Sequence, residues 1–263
     1  MTKDIFMIHG MWSDAGIWDN YREFFGERGF QVSATTLRHH DQGPEAPPPP
    51  ELGATSLLDY LDDLEAELAA YEAPPIIMGH SMGGLLTQML AARGRAAAAV
   101  LLNPASPAGI NPIRPTVLWT FLRPLSKWGF WYKPHRLTFR EARFSMLNVM
   151  PEEQARAAHA GMVWESGRAA SEIAYWWADP KKASRVDPAA VRCPVLTIAG
   201  GRDRITPLPV ERATAARYQA TGTYREFPEH SHWTLGEPGW RDVAGACADW
   251  LEQLPPADAE VSN

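Results

Sequence analysis

Short apolar runs alternate with helical patterns along most of the chain, and this alternation restricts the fold more than any other feature. The apolar runs lie at residues 5–8, 32–35, 76–78, 98–102, 195–199 and 224–227, and the helical patterns at 18–28, 56–71, 81–93, 209–218 and 240–254. Strands that alternate with helices pair in parallel through right-handed crossovers. We therefore predict an α/β fold with a doubly wound, mostly parallel six-stranded sheet flanked by helices.

The alternation is interrupted between residues 104 and 188, where the composition changes. This segment holds six of the eleven tryptophans. Between residues 112 and 187 the chain contains twelve Lys or Arg but only seven Asp or Glu, so this part is basic. Long helix-rich insertions in an open sheet usually cover the carboxyl ends of its strands, where ligands bind. We therefore predict a helical cap (lid) at 104–188 between two parts of the core at 1–103 and 189–254, and a disordered tail at 255–263.

Composition and length argue against several classes of protein. The net charge of −6 argues against general nucleic-acid binding. No apolar run is long enough to span a membrane and no signal peptide precedes the first strand, so we expect a cytoplasmic protein. Cys193 and Cys247 are too few for a disulfide framework and lack C-x-x-C spacing, so we expect both to be reduced.

The stretch "IIMGHSMGGLLTQML" places Ser81 where an apolar run becomes a helical pattern. It contains G-x-S-x-G, a pattern in which a strand turns sharply into a helix and exposes the serine hydroxyl above the sheet. Gly79 and Gly83 leave the room that this turn needs. Ser81 is therefore the candidate nucleophile, and the helix after it directs N–H groups toward an oxyanion formed there.

A serine hydroxyl needs a base that removes its proton and a carboxylate that orients the base. Asp203, in the loop after the fifth apolar run, is the candidate acid, and Asp179 and Asp187 are alternatives. The loop after the last run offers His230 and His232, and strand position alone does not decide between these two bases.

The motifs "HGMW", "GHSMGG", "GGRDRITP" and "SHWTLGEP", in this order, resemble those of the α/β-hydrolase superfamily over nearly the whole chain. The order Ser81, Asp203, His232 matches that superfamily's order of nucleophile, acid and base. The resemblance implies an H-x4-E-x-P-like stretch that begins at the base, and His232 fits it while His230 does not. The chain departs from the pattern at Ser231, where glycine is usual, and at "RHHDQG". It also begins at the strand that leads into "HG", so the cap follows the strand at the family's sixth position.

The same resemblance implies an oxyanion hole. One N–H group belongs to Met82, which follows the nucleophile, and the other to Met11, which follows "HG". His9 we interpret as a buried, hydrogen-bonded residue at the end of a strand rather than as a second base.

We expect tryptophans of the cap and residues beside the motifs to line the substrate pocket. The candidates are Trp12, His80, Trp119, Trp128, Trp131, Trp164, Trp177 and Trp233. The basic, aromatic stretch at 114–143 also suggests weak contact with a lipid surface, although most such stripes pack on the core. The run His39-His40-Asp41 lacks the ligand spacing of a zinc site, so we expect neither a metal nor a cofactor.

Together these features predict a serine hydrolase that cleaves carboxylic esters of apolar or aromatic small molecules through an acyl-enzyme intermediate. A lactonase, a thioesterase or a carbon-carbon bond hydrolase would use the same three residues, as would a hydroxynitrile lyase or a cofactor-free perhydrolase. Serine at position 81 argues against the related dehalogenases and epoxide hydrolases, which need aspartate there. The alternatives from other classes are a non-catalytic ligand-binding protein and an inactive protein that binds lipid surfaces.

Overall fold

A six-stranded, fully parallel sheet forms the centre of the molecule. The computed structural model describes residues 2–255, and within them the strand order is β2-β1-β3-β4-β5-β6. The strands are β1 (Asp4–Ile8), β2 (Gln31–Thr35), β3 (Ile76–His80), β4 (Ala98–Leu102), β5 (Val195–Gly200) and β6 (Gly222–Phe227). The predicted fold class is confirmed. The tail predicted to be disordered lies, from residue 256 onward, outside the described residues.

Helices cover both faces of this sheet. Within residues 2–255 they are α1 (Asp19–Glu27), α2 (Leu57–Leu68), α3 (Met82–Ala92), α4 (Pro115–Leu125), α5 (Phe139–Ser145), α6 (Glu152–Ala160), α7 (Gly167–Ala174), α8 (Leu208–Ala215) and α9 (Trp240–Glu252). The five helices predicted in the core are present, but each ends one to three residues before its apolar pattern does. After α2, α8 and α9 the reason is that apolar side chains in the following turn, Tyr71, Tyr218 and Leu254, still pack on the core. After α1 and α3 the difference is one residue, which is within the uncertainty of a helix end.

Side chains of each inner strand alternate between two apolar cores. In β1, Phe6 and Ile8 belong to the core beneath α2 and α3, whereas Ile5 and Met7 belong to the core beneath α1 and α9. Successive side chains of a strand point to opposite faces of the sheet. Because both faces are covered, the inner strands are apolar throughout, which is why they appear in the sequence as continuous apolar runs.

The segment between β4 and β5 is helical, as predicted. It contains α4, α5, α6 and α7. Its role as a cap over the core stays a prediction. Among residues 2–255, no helix combines the length and the apolar character needed to cross a bilayer. Cys193 and Cys247 are both free.

The turn from β3 into α3 needs glycine on both sides of Ser81. A Cβ atom on Gly79 would lie 2.2 Å from the carbonyl oxygen of Gly83, and one on Gly83 would lie 2.2 Å from the carbonyl oxygen of Ile8. Atoms cannot approach so closely, so the first turn of α3 packs against the end of β1 only because position 83 is a glycine. The two glycines therefore set the height of Ser81 above the sheet.

We expect Gly83→Ala to lower the free energy of unfolding by about 3 kcal/mol or to prevent folding, because the new methyl group meets the backbone of β1. Gly245→Ala is the control. Gly245 lies in α9, and within residues 2–255 no atom stands within 4 Å of the Cβ it would gain. This second change should raise the free energy of unfolding by about 0.5–1 kcal/mol. Urea unfolding measures both effects, and equal stabilities of the two variants would contradict the packing argument.

Candidate active site

Three neighbouring strands lead into residues with positive φ at one edge of the sheet. Trp12, Ser81 and Asn103 have φ values of 61°, 54° and 46° and follow β1, β3 and β4. The strand order reverses between β1 and β3, and ligands bind at such a switch point in open α/β sheets. A non-glycine residue in a strained conformation costs about 1–3 kcal/mol, and strain of this kind concentrates at functional sites. This edge is therefore the candidate active site.

Backbone hydrogen bonds fix Ser81 at the start of α3. Its N–H donates to the Leu102 carbonyl at 3.0 Å, and its carbonyl accepts from the Ala105 N–H at 2.8 Å. Ser81 is 8% exposed and borders a cavity. The surrounding structure thus holds the strained backbone and leaves the serine at the cavity wall.

Asp203 and His232 form a fully buried pair. His232 Nδ1–H donates to Asp203 Oδ2 at 2.6 Å. The N–H groups of Ile205 and Thr206 donate to Asp203 Oδ1 at 2.7 and 2.9 Å. Asn103 Nδ2 and the Thr206 hydroxyl donate to Oδ2 at 2.9 and 2.8 Å. Five donors orient this carboxylate, which in turn fixes the His232 ring and its tautomer.

These contacts keep Asp203 ionised. Burial alone would raise the pKa of its carboxyl, but the facing His232 ring and the Thr206 donors lower that pKa overall. Glu211 is fully buried as well, and burial together with the Asp203 charge raises the pKa of Glu211 well above its usual value. Asp203 therefore carries the negative charge that faces His232, while burial favours the protonated form of Glu211.

The structure separates the two histidines between which strand position could not decide. His230 Nδ1–H donates to Glu237 Oε1 at 2.9 Å, whereas His232 donates to Asp203. The same Glu237 oxygen accepts from the Ser231 N–H at 2.8 Å. His230 is therefore held by a carboxylate of its own loop, and His232 is the histidine that can act together with Asp203.

The second ring nitrogen of His232 remains available for a proton. Nε2 is buried and, as far as residues 2–255 show, has no hydrogen-bond partner. The adjacent His80 ring donates its Nε2–H to the His232 carbonyl at 2.8 Å and also has an unpartnered nitrogen, Nδ1, within the described residues, but it is not hydrogen-bonded to a carboxylate. Burial and the neighbouring His232 lower the pKa of His80 to about 3. His80 therefore supports the His232 backbone and stays neutral.

Met11 and Met82 border the same cavity as Ser81. Met82 is the first residue of α3, so its N–H lacks a carbonyl partner within the helix. Across the described part of the chain, neither the Met82 nor the Met11 N–H donates a hydrogen bond. The loop that carries Met11 is held by a bond from the Val163 N–H to the Trp12 carbonyl at 2.9 Å. Both N–H groups are thus free to receive an oxyanion near Ser81.

The cavity at Ser81, called here the inner cavity, has a volume of about 80 Å³, or about 780 Å³ when the open space at its mouth is included. Its walls come from the loops after β1, β3 and β4, from α4 and from α7, and none of the lining side chains is charged. Apolar side chains dominate, among them Met11, Trp12, Val117, Phe121, Ile173 and Ile205. Cavities with such an apolar lining take small apolar molecules and orient them through a few polar groups.

The tryptophans proposed for the pocket mostly lie elsewhere. Of the eight predicted lining residues, Trp12 borders the inner cavity, and seven do not: His80, Trp119, Trp128, Trp131, Trp164, Trp177 and Trp233. Trp128 and Trp177 are 86% and 69% exposed, and Trp119 packs on Phe144 with ring centroids 4.2 Å apart. The reason is that α4 turns Val117 and Phe121 toward the cavity, and composition does not reveal which face of a helix points inward. The predicted lipid contact stays a prediction.

Two other histidines have structural contacts. His9 Nδ1–H donates to the Gly10 carbonyl at 2.8 Å, and its Nε2 accepts from the Leu37 N–H at 3.0 Å, as expected of a strand-end residue. His40 Nε2–H donates to Glu165 Oε2 at 3.2 Å, and both side chains are fully buried. Because Glu165 belongs to the segment between β4 and β5, this pair attaches that segment to the core.

Asn103 was missed in the sequence, and Thr206 and Thr234 were noticed only as parts of motifs. Asn103 Nδ2 donates to Asp203, and Asn103 Oδ1 accepts from the Thr234 hydroxyl at 2.9 Å. Asn103 directly follows β4, the strand beside the nucleophile's strand. Asparagine at a strand end, before a proline, is typical of a turn with positive φ, and this signal could have identified it.

Buried neutral histidines should make the fold sensitive to mild acid. Mainly because of burial, the pKa values of His9 and His80 fall to about 3 and that of His135 falls to about 4. Below pH 6.5 the unfolded chain binds protons on these rings while the folded chain does not, so stability falls between about pH 6.5 and 4. His40 acts in the opposite direction. Burial alone would lower the pKa of His40, but the charge and the hydrogen bond of Glu165 outweigh burial and raise it. The stability that His40 contributes is therefore fully present below pH 6.5 and is lost as pH rises through its raised pKa.

We expect His135→Phe to reduce this acid sensitivity. Both ring nitrogens of His135 lack a partner within residues 2–255, so phenylalanine loses no hydrogen bond there. The dependence of the free energy of unfolding on pH should fall by about 1.4 kcal/mol per pH unit, the contribution of one proton. Urea unfolding at pH 7, 6 and 5 measures this slope, and a slope equal to that of the wild type would contradict the assignment of a neutral, buried His135.

Comparison with protein families gives an independent view of the chain. A family model described as "Alpha/beta hydrolase family" matches residues 5–246. The match extends from β1 into α9 and includes Ser81, Asp203 and His232.

Individual proteins are also similar over nearly the full length. A monoacylglycerol lipase of Mycolicibacterium smegmatis is 25% identical over 257 residues, which cover 94% of this chain and 87% of that protein. A pyrethroid hydrolase from Sphingobium faniae JZ-2 superposes with a TM-score of 0.71 at 20% identity, with 96% of this chain and 98% of the other covered. A monoacylglycerol lipase of Paleococcus ferrophilus gives a TM-score of 0.70 at 19% identity, with 94% and 93% covered. At such identities the solved structures establish the fold.

Proposed function

The chain belongs to the alpha/beta hydrolase family, and from this premise we propose that it is a serine hydrolase of carboxylic esters. Ser81 Oγ attacks the ester carbonyl carbon while His232 Nε2 takes the hydroxyl proton. Asp203 stabilises the imidazolium, and the N–H groups of Met11 and Met82 bind the oxyanion. His232 then gives its proton to the leaving alcohol, and water releases the acid from the acyl-enzyme by the same steps.

One observation carries this proposal: the buried Asp203–His232 pair leaves a single ring nitrogen, Nε2, without a partner in the described residues. A histidine that is held by an ionised carboxylate on one side and is unpartnered on the other has the arrangement of a general base. Ser81 supplies the hydroxyl on a strained turn at the cavity wall. His80 and His135 also have buried ring nitrogens without a partner in the described residues, but neither ring is hydrogen-bonded to a carboxylate, as the His232 ring is.

The inner cavity supports apolar or aromatic small-molecule esters as substrates. Its lining contains no charged side chain, so a substrate with a charged group near the scissile bond would be buried without a partner. The relatives named as monoacylglycerol lipases and as a pyrethroid hydrolase favour hydrolysis over the other chemistries that this fold hosts. The segment 104–188 acts as the cap, because α4 and α7 supply walls of the cavity.

The proposal is tested by incubating the protein with p-nitrophenyl esters from acetate to palmitate and, separately, with a fluorophosphonate probe. Release of p-nitrophenol and covalent labelling of Ser81 are both expected. Labelling without turnover of any ester would keep the activated serine but redirect the search to lactones, thioesters or carbon-carbon bonds. Folded protein that shows neither would contradict the proposal and favour a ligand-binding protein.

A further inference from the structure

A second cavity adjoins the inner one. This outer cavity has a volume of about 580 Å³ and opens at the surface of the segment between β4 and β5. Phe130 and Tyr175 border both cavities and are the two residues that the linings share. Their rings meet edge to face, with centroids 6.4 Å apart and an interplanar angle of 63°. Two side chains therefore stand between the cavity at Ser81 and the outer cavity.

Helix α7 forms the rest of the partition. Ala170 and Ile173 line the inner cavity, whereas Arg168 and Ser171 line the outer one. Residues three or four apart lie on the same face of a helix, so one face of α7 borders each cavity. Tyr175, directly after the helix, borders both.

The backbone beside this ring pair is fixed. A Cβ atom on Gly167 would lie 1.9 Å from the Phe130 carbonyl oxygen, and one on Gly53 would lie 2.4 Å from the Tyr132 carbonyl oxygen. The turn Phe130–Tyr132 is therefore packed backbone to backbone between α7 and the loop before α2. The backbone of Phe130 therefore has little room to move, and its side chain is the part of this residue that separates the two cavities.

The outer cavity offers an apolar floor with a hydrated rim. Trp131, Tyr132 and the shared ring pair supply aromatic surface, and Arg168 is neutralised by Glu172 at 2.9 Å. Such a surface fits an alkyl or aryl group but provides no unpaired buried charge that would recognise an ion. Unlike the inner cavity, the outer one also has charged lining residues, Arg168, Glu172, Asp179 and Lys181, so it shares with the inner cavity its aromatic surface rather than its whole chemistry.

We propose that the two cavities form one substrate channel, and that Phe130 and Tyr175 are specificity-determining residues that limit the length of the apolar part of the ester. This inference rests on the proposed hydrolysis at Ser81. Esters whose acyl chain fits the inner cavity bind with the rings closed. A longer chain meets the ring pair, and removing either ring lets its far end pass onto the aromatic floor of the outer cavity.

The test measures kcat/KM for p-nitrophenyl esters of increasing acyl length in wild type, Tyr175→Ala and Phe130→Ala. The wild-type value should fall by about tenfold or more beyond its optimum, and each variant should restore about tenfold for the longest chains. In both variants kcat/KM for acetate and butyrate should change by a smaller factor than kcat/KM for the longest chains, so that the chain-length profile itself shifts toward longer esters. Trp128→Ala is the control, since Trp128 is an 86% exposed aromatic residue of the same segment that borders neither cavity; its profile should follow the wild type.

A second substitution tests whether the gain depends on the outer cavity. Ala178 is exposed and lines that cavity, so Ala178→Trp should remove the long-chain gain from Tyr175→Ala while short esters are still cleaved. Identical chain-length profiles in wild type and both ring variants, with normal cleavage of short esters, would overturn the channel and leave ester hydrolysis standing. Failure of the wild type both to cleave short esters and to react with a fluorophosphonate at Ser81 would overturn the two proposals together.

Discussion

Replacing Ser81 with alanine is expected to lower kcat/KM for p-nitrophenyl butyrate by roughly 10⁴-fold or more. Alanine keeps the Cβ atom and the backbone of the turn, whose φ is 54°. It also leaves the N–H groups of Met11 and Met82 in place, so the change removes the nucleophile alone. Any residual turnover would come from water attacking an ester held against those N–H groups. Initial rates and fluorophosphonate labelling, which should disappear, are the measurements.

Ser106→Ala is the matched control for this loss. Ser106 lines the same inner cavity, and within residues 2–255 its buried hydroxyl has no hydrogen-bond partner. Ser106→Ala should therefore keep the label and most of the turnover. Urea unfolding of Ser81→Ala should match or exceed the stability of the wild type, which would exclude misfolding as the cause. Near-normal turnover by Ser81→Ala, with loss in Ser106→Ala, would assign the nucleophile to the other serine.

Features that depend on nearby residues could be predicted from the sequence. The strands of the inner sheet are continuous apolar runs because both faces of the sheet are covered. The turn at Ser81 needs residues without a side chain two positions before and two positions after the serine. The motif G-x-S-x-G contains this requirement, and Gly79 and Gly83 meet it. In both cases the physical cause lies within a few residues, so one sequence contains it.

Features that depend on how distant segments meet could not be predicted in the same way. The cavity uses Val117 and Phe121 of α4, while the more conspicuous Trp128 faces solvent. Which face of such a helix points into the cavity depends on the elements that the helix packs against. The sequence of the helix alone does not identify those elements. For the same reason Asn103 was missed, since its role arises only where β4 and the loop of Asp203 come together.

The loop after β6 shows the same limit in its two histidines. His230 and His232 each face a buried carboxylate, so charge pairing alone does not distinguish a base from a structural residue. Their far nitrogens differ. His230 Nε2 lies where a Cβ on Gly239, at the start of α9, would come within 3.1 Å, whereas His232 Nε2 is buried and lacks a partner among residues 2–255. One histidine therefore closes a turn, and the other retains a site for a proton.

We expect His232→Ala to lower kcat/KM by roughly 10⁴-fold, because Ser81 then has no base and the imidazolium that Asp203 stabilises cannot form. His230→Ala is the control with the same change in side chain. It should keep most of the turnover but lose about 1–3 kcal/mol of stability, because Glu237 is buried and loses one of its donors. Initial rates give kcat/KM for both variants, and urea unfolding gives the free energy of unfolding for both.

Turnover is the measurement that distinguishes the two variants. Each change takes a donor from a buried carboxylate and should lower the free energy of unfolding, but only the loss of the catalytic base should also remove turnover. If His230→Ala lost turnover at wild-type stability while His232→Ala kept it, the base would belong to the pair with Glu237. Asp203 would then be an ionised carboxylate with five donors and no catalytic task, a costly arrangement for a loop to retain at the end of β5.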